Sequence, residues 1–167
     1  MITELVQIKR LGERVREENL RFRAWLKRHH FVERRLKAIA QQVEDGVDCK
    51  TCANCCRVAT TQLNQRDVER LARYLGMKVA DVVRSYTVET AEEGLILRRT
   101  DEGCVFLNGT LCTVYEARPE TCQHFPHLVK GSGSLLSRMW HMPDRAVYCP
   151  IVYNSLQEFK KETGFKK

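Results

Sequence analysis

"DCKTCANCCRVAT", residues 48–60, holds Cys49, Cys52, Cys55 and Cys56 within eight consecutive positions. A chain built around such a stretch is organised by its thiols as much as by its core. Thiolates two residues apart can close on one metal. A tight turn brings both sulfurs to tetrahedral spacing, with zinc–sulfur distances of about 2.3 Å. A C-x2-C-x2-C run equally suits one edge of an iron–sulfur cube, whose last ligand often comes from a remote Cys-Pro. This chain carries that dipeptide at Cys149-Pro150. The doubled Cys55-Cys56 fits neither pattern alone, because neighbouring side chains diverge and do not both bind one ion terminally. A two-metal thiolate cluster, two neighbouring sites, or one ligand beside one packed thiol each resolve the pair.

The other cysteines, Cys104, Cys112, Cys122 and Cys149, lie in the C-terminal half. Cys104 and Cys112 flank Asn108-Gly109, a strong hairpin signal. A two-residue loop at Asn108-Gly109 would pair Leu107 with Thr110 and leave the two cysteines on opposite faces. A three-residue loop, Leu107-Asn108-Gly109, puts Cys104 directly opposite Cys112. If both thiols serve one centre, the three-residue form is predicted.

Residues 1–23 are charged throughout, with no apolar stretch before a small-residue cleavage site, so the protein is expected to be cytoplasmic. No run approaches the ~18 apolar residues of a membrane span. In a reducing compartment, clustered cysteines read first as metal ligands or redox thiols. Four disulfides are the alternative in an exported or hyperthermophilic setting. A nucleophilic-cysteine enzyme would need a base aimed at one thiol. His124, His127 and His141 are near in sequence. They read first as ordinary surface or core histidines, and second as ligands or as donors to ligands. No catalytic residue is assigned, and enzymatic activity stays open.

At 167 residues, with 43% hydrophobic and 29% charged, the chain can bury an ordinary core. The net charge of +7 raises nucleic acid as a partner. In residues 1–46, however, eleven Lys/Arg are interleaved with seven Asp/Glu, the pattern of a solvated helix face. Nucleic acid is not supported by that pattern, though not excluded by it.

Those first residues carry a seven-residue repeat. Ile8, Val15, Phe22, His29, Leu36 and Val43 form one series, and Leu11, Glu18, Trp25, Val32 and Ile39 the other. Such a stripe predicts one long amphipathic, coiled-coil-like helix over 1–46. Its seam would meet a protein partner, a second copy, the following domain or the C-terminal helix. Residues 47–167 form the second predicted domain. Within it, Asn64, with Asp67 three residues on, caps a helix that Gly76 ends, and Val79, Val82, Val83 and Tyr86 mark another. "GLILRR" and "CVFLNGTLCTVY" read as strands. Pro119 opens a helical turn, "KGSGS" is a loop, and "LLSRMW" reads as a strand. Val152, Leu156 and Phe159 mark a final helix. The fold class is therefore α+β: a long N-terminal helix plus a small metal-centred domain of short helices and a β-hairpin.

"CKTCANCCR" at 49–57, "GCVFLNGTLCTVYEARPETCQHFP" at 103–126 and Cys149-Pro150 together resemble the YkgJ-type cysteine-cluster family. This is the CxxCxxCC, zinc- or iron-chelating domain. The resemblance covers about residues 48–152 and includes Tyr115, Arg118, Pro119, Phe125 and Pro126. It implies that all eight cysteines, Cys49, Cys52, Cys55, Cys56, Cys104, Cys112, Cys122 and Cys149, serve metal binding. Arg118 is expected to donate to nearby carbonyls or to cluster sulfurs. Flagellin lysine methylases carry a similar cluster, but they are longer, and this chain has no Gly-rich strand-to-helix turn for a methyl donor.

The leading expectation is a metal-binding protein holding an iron–sulfur cluster (4Fe-4S among the options) or a multinuclear iron- or zinc-thiolate centre. Its role would be redox, sensing or catalytic. The alternatives are a structural or storage zinc module with a protein-interaction helix and, more weakly, a component of a lysine methylase-like enzyme.

Overall fold

The seven-residue stripe is divided among α1 (Leu5–Arg14), α2 (Arg16–Leu26) and α3 (Glu33–Asp45) instead of forming one helix. The computed structural model describes residues 1–166. After α3 come α4 (Cys49–Cys52), α5 (Asn54–Val58), α6 (Gln65–Leu75) and α7 (Val79–Tyr86). Short strands follow: β1 (Thr87–Thr90), β2 (Gly94–Leu97), β3 (Arg99–Thr100), β4 (Gly103–Cys104), β5 (Leu107–Asn108) and β6 (Leu111–Cys112). A 3₁₀ turn (Tyr115–Ala117) leads to α8 (Glu120–His124), α9 (Leu135–Arg138), a second 3₁₀ turn (Met139–His141), α10 (Met142–Arg145) and α11 (Pro150–Thr163). The class is α+β. Among the described residues, no helix is long and apolar enough to cross a membrane.

Two compact units result: Met1–Asp48 with the chain from Pro126 onward, and Cys49–Phe125. In the first, α1 and α3 pack on α11 while α2 packs on α10. Ile8, Val15, Phe22, Leu26, Leu36 and Ala40 are buried, so much of the apolar seam is consumed within this unit. That burial is the physical reason the helix breaks. A straight rod would leave the seam in water, at roughly 25 cal/mol per Å² of apolar surface. At the break, the His29 ring stacks on Trp25 at 4.0 Å, and its Nδ1 lies 2.9 Å from the Trp25 carbonyl oxygen. The last turn of α2 closes there. Asn154 of α11 holds the start of the chain, accepting from the Ile2 N–H at 2.9 Å and donating to the Ile2 carbonyl at 2.7 Å.

"LLSRMW" is helical, not a strand. The Ser134 side chain accepts from the Ser137 N–H and caps α9, and Leu135 and Met139, one turn apart, are both buried. Arg138 fixes the preceding loop by donating to the carbonyls of His127 at 2.7 Å and Gly133 at 2.5 Å. The final helix forms as predicted, with Pro150 in its first turn.

The second unit has its own core of Val68, Leu71, Ala72, Val82, Leu97, Phe106, Val114 and Ala117. α6 is capped as expected: Asn64 and Asp67 form a reciprocal capping box, and Gly76 ends the helix at φ 65°. The strand in "GLILRR" pairs with an unanticipated partner, the segment 87–90, in register Thr87 to Leu97 and Thr90 to Gly94. The cysteine hairpin also departs from expectation. β5 and β6 pair Leu107 with Cys112 and Asn108 with Leu111, leaving the two-residue loop Gly109-Thr110. Gly109 has φ 62° while Thr110 is not left-handed, the form in which glycine takes the first turn position. Cys104 instead pairs with Arg99, across the separate β3–β4 hairpin. The two cysteines therefore do not sit opposite one another in one ladder, and the three-residue loop predicted for a shared centre does not form, so any shared centre must join them across two hairpins.

Candidate metal centre

The C-x2-C-x2-C-C segment folds as two short helical turns. Cys49 and Cys52 bound α4, and Cys55 and Cys56 lie in α5. Ala53 between them is left-handed at φ 46° and is buried, with its N–H donating to the Cys49 carbonyl at 3.0 Å. A non-glycine residue in that region is uncommon, and here it reverses the chain between two cysteine-bearing turns. All eight cysteines are thiols. Cys49 is exposed, while Cys52, Cys55, Cys56, Cys104, Cys112 and Cys122 are half-buried.

Three further elements of the second unit bring thiols toward Cys56. Cys104 is on β4, Cys112 on β6 and Cys122 in the middle of α8. These four share one electrostatic neighbourhood. Burial pushes the Cys104 and Cys112 thiols up, the charges of Cys56 and Cys112 add to the rise at Cys104, and the charge of Cys56 adds to the rise at Cys112. Burial pushes Cys122 up to about 12, reinforced by Cys104, Cys56 and Cys112, although a hydrogen-bond contact with Thr61 Oγ1 at 3.6 Å opposes it.

Cys56 moves the other way. A hydrogen bond with Cys55, with the charges of Arg57, Arg118 and Arg99, draws it down to about 6 against the cost of burial. A low-lying thiolate among high-lying thiols is the behaviour of several like charges crowded into one place: one ionises and the rest hold their protons.

The arginines that face this group also hold its frame. Arg57 donates to the Cys52 carbonyl at 3.0 Å and to the Gly109 carbonyl at 2.9 Å. Arg99 donates to the carbonyls of Ala59 and Arg57. Arg118 donates to the Tyr115 carbonyl at 2.9 Å and stacks on the Tyr115 ring at 3.6 Å, with Lys50 also over that ring at 4.7 Å. The carbonyl partner expected for Arg118 is present. In sequence Asp67 reads as the residue three after the Asn64 cap, and in the structure it is 1% exposed and does more. Besides closing the α6 capping box, it accepts from the Glu120 N–H at 2.9 Å, capping the helix that carries Cys122. Arg57 and Arg99 carry a weak signal in sequence, since one follows the cysteine run and the other ends a strand. Nothing local reveals the second job of Asp67.

Cys149 belongs to the first unit, where it is buried at the N-cap of α11. His127 and His141 are also in that unit. His141 is held below its usual range by burial and by the Arg145 charge. His124 ends α8 in the second unit, with Nδ1 3.8 Å from Glu120 Oε1.

Among the described residues, no three His, Cys, Asp or Glu side chains are drawn together at metal-holding geometry. The donor chemistry nevertheless fits a soft metal. Cys56, Cys104, Cys112 and Cys122 offer sulfur from separate elements, beside three guanidinium groups that offset thiolate charge. No match to a curated protein or to a solved structure was found. The family model described as "CxxCxxCC: Putative zinc- or iron-chelating domain" matches residues 48–150, and the chain belongs to that family.

Proposed function

We propose that the protein is a polythiolate metal carrier, holding an iron–sulfur cluster or a multinuclear iron- or zinc-thiolate centre in its second unit. The observation that carries this reading is that the Cys56, Cys104, Cys112 and Cys122 segments meet in one unit and their thiols act on one another's charge, with Arg57 and Arg99 bonded to the backbone around Cys56. Burying several thiolates is unfavourable without cations, and a metal with arginine neighbours supplies them. Cys49, Cys52 and Cys55 complete the donor set of this unit, while the Cys-Pro pattern makes Cys149, which lies in the first unit, a ligand candidate from sequence alone. The bound metal would supply electron transfer or Lewis acidity. The protein's part is to gather the sulfurs, limit water access and set the charge around them. A cytoplasmic setting agrees with a cysteine-rich chain that keeps its thiols reduced.

Anaerobic purification followed by absorbance, metal and acid-labile sulfide analysis tests the proposal. Iron with sulfide and a brown colour is the expected result for a cluster. A colourless protein with about two zinc ions would establish the four-thiolate zinc alternative. If the reduced chain retains neither metal, the reading is wrong. Single Cys→Ser variants then define the ligands. Metal loss is expected for Cys52→Ser and Cys104→Ser, while retention in Cys149→Ser would remove Cys149 from the set.

A further inference from the structure

Two guanidinium groups tie the cysteine-bearing segments of the second unit to one another. Arg57 spans from the Cys52 carbonyl, at the end of α4, to the Gly109 carbonyl, in the turn of the hairpin that carries Cys112. The backbone carbonyl of Arg57 itself accepts from Arg99, which also reaches the Ala59 carbonyl at 2.5 Å. Arg99 is the cross-strand partner of Cys104. The chain of contacts thus runs from the Cys104 hairpin, through the residues just after Cys56, to Cys52 and to the Cys112 hairpin. Gly103 adds a direct contact, since its backbone lies against the backbone of Cys56 and Arg57.

Each guanidinium carries several donors in a fixed planar fork, so it can bond two carbonyls from different segments at once. An ammonium on a flexible stem does this poorly. Carbonyls at the ends of short helices and turns need such donors, because they lack partners within their own element.

We propose that Arg57 and Arg99 are positioning residues for the metal site. They hold the Cys52, Cys56, Cys104 and Cys112 segments in place before metal arrives and raise affinity by preorganisation. This rests on the polythiolate reading above.

Cobalt(II) titration of the reduced full-length chain is the test, following thiolate-to-cobalt absorption and measuring affinity by competition with a chelator. Arg57→Gln and Arg99→Gln should each weaken cobalt binding roughly 10–100-fold, the usual cost of losing a residue that orients a ligand. The number of thiolates bound at saturation should not change. Arg57→Lys keeps the charge but spans fewer carbonyls, and it should recover only part of the loss. Arg73→Gln, on the exposed face of α6, should bind like wild type and so control for charge alone.

Wild-type affinity in the Gln variants, or an equal loss in Arg73→Gln, would overturn the inference and leave the metal reading intact. Absence of thiolate–cobalt absorption in wild type would overturn both. Where a Gln variant does not fold, Arg57→Lys and Arg99→Lys decide: wild-type affinity in both disproves the brace, and weaker binding by a folded chain supports it.

Discussion

Gly103 leaves no room for a side chain against Cys56: a Cβ at Gly103 would stand 2.6 Å from the Cys56 carbonyl oxygen and 2.8 Å from the Arg57 Cα. Its φ of +134° is also one that other residues rarely adopt. The β4 backbone can therefore approach α5 only because position 103 is glycine. Gly103→Ala should cost about 1–3 kcal/mol, as overpacking does, and should lower metal per chain. Urea denaturation and metal analysis on the same preparation check both, and an unchanged denaturation midpoint would rule out the close approach.

Asp67 joins two helices through one carboxylate. Its oxygens accept from Asn64, from Arg70 at 2.5 Å and from the Glu120 N–H at 2.9 Å. Asp67→Ala would remove the acceptor shared by the Asn64 and Glu120 N–H groups and Arg70, which keeps the Ala117 and Arg118 carbonyls, a loss of about 1–3 kcal/mol in all. Thermal unfolding should show that loss. In the metal-free chain, alkylation of Cys122 should also speed up, because α8 loses its cap. Unfolding that shifts while Cys122 labelling stays constant would confine Asp67 to α6.

Thiol reactivity gives a pH signature. Cys56, drawn down to about 6 by its hydrogen bond with Cys55 and by three arginines, is mostly thiolate at pH 7. Cys122, pushed up to about 12 mainly by burial, is protonated there. Since the thiolate is the nucleophile, iodoacetamide should label Cys56 well before Cys122 in the reduced, metal-free protein. Cys56 labelling should fall as pH drops through about 6. Peptide mapping by mass spectrometry reads both sites, and equal rates at pH 7 would contradict the assignment.

In the first unit, Lys160 of α11 and Glu18 of α2 make an almost fully buried ion pair at 2.7 Å. Removing one charge breaks a buried ion pair, so Lys160→Met should cost about 3–5 kcal/mol. Pairing it with Glu18→Met should recover much of that loss, since both charges of the pair are then gone. Denaturant titration of the single and double variants distinguishes this from a surface pair, for which both singles would lie within about 1 kcal/mol of wild type.

Much of the local structure was legible in the residues. The Asn64–Asp67 box, the stop at Gly76 and the proline-led helix from Pro150 are decided within a few positions, and those elements form as read. Errors arose where partners are distant in sequence. The apolar repeat of residues 8–43 is real, but a period says only that one face will be buried. Packing against α10 and α11 divided the stripe into separate helices. The "LLSRMW" segment has strand-like composition, yet the cap at Ser134 and the carbonyls gathered by Arg138 made it helical.

By itself, the sequence determined the chemistry of this protein: eight soft sulfur donors, spaced as short turns and hairpins space them, with family membership over residues 48–150. How the thiols of the second unit are presented depends on long-range packing. It seated Cys104 beside Arg99 and Cys112 beside Leu107, on separate hairpins, and made Arg57, Arg99 and Asp67 the frame between them. The reason is physical. A thiol's identity and spacing are local properties. Its ionisation and position depend on charges and carbonyls contributed by segments about fifty residues away, such as Gly109 for Arg57 and Glu120 for Asp67.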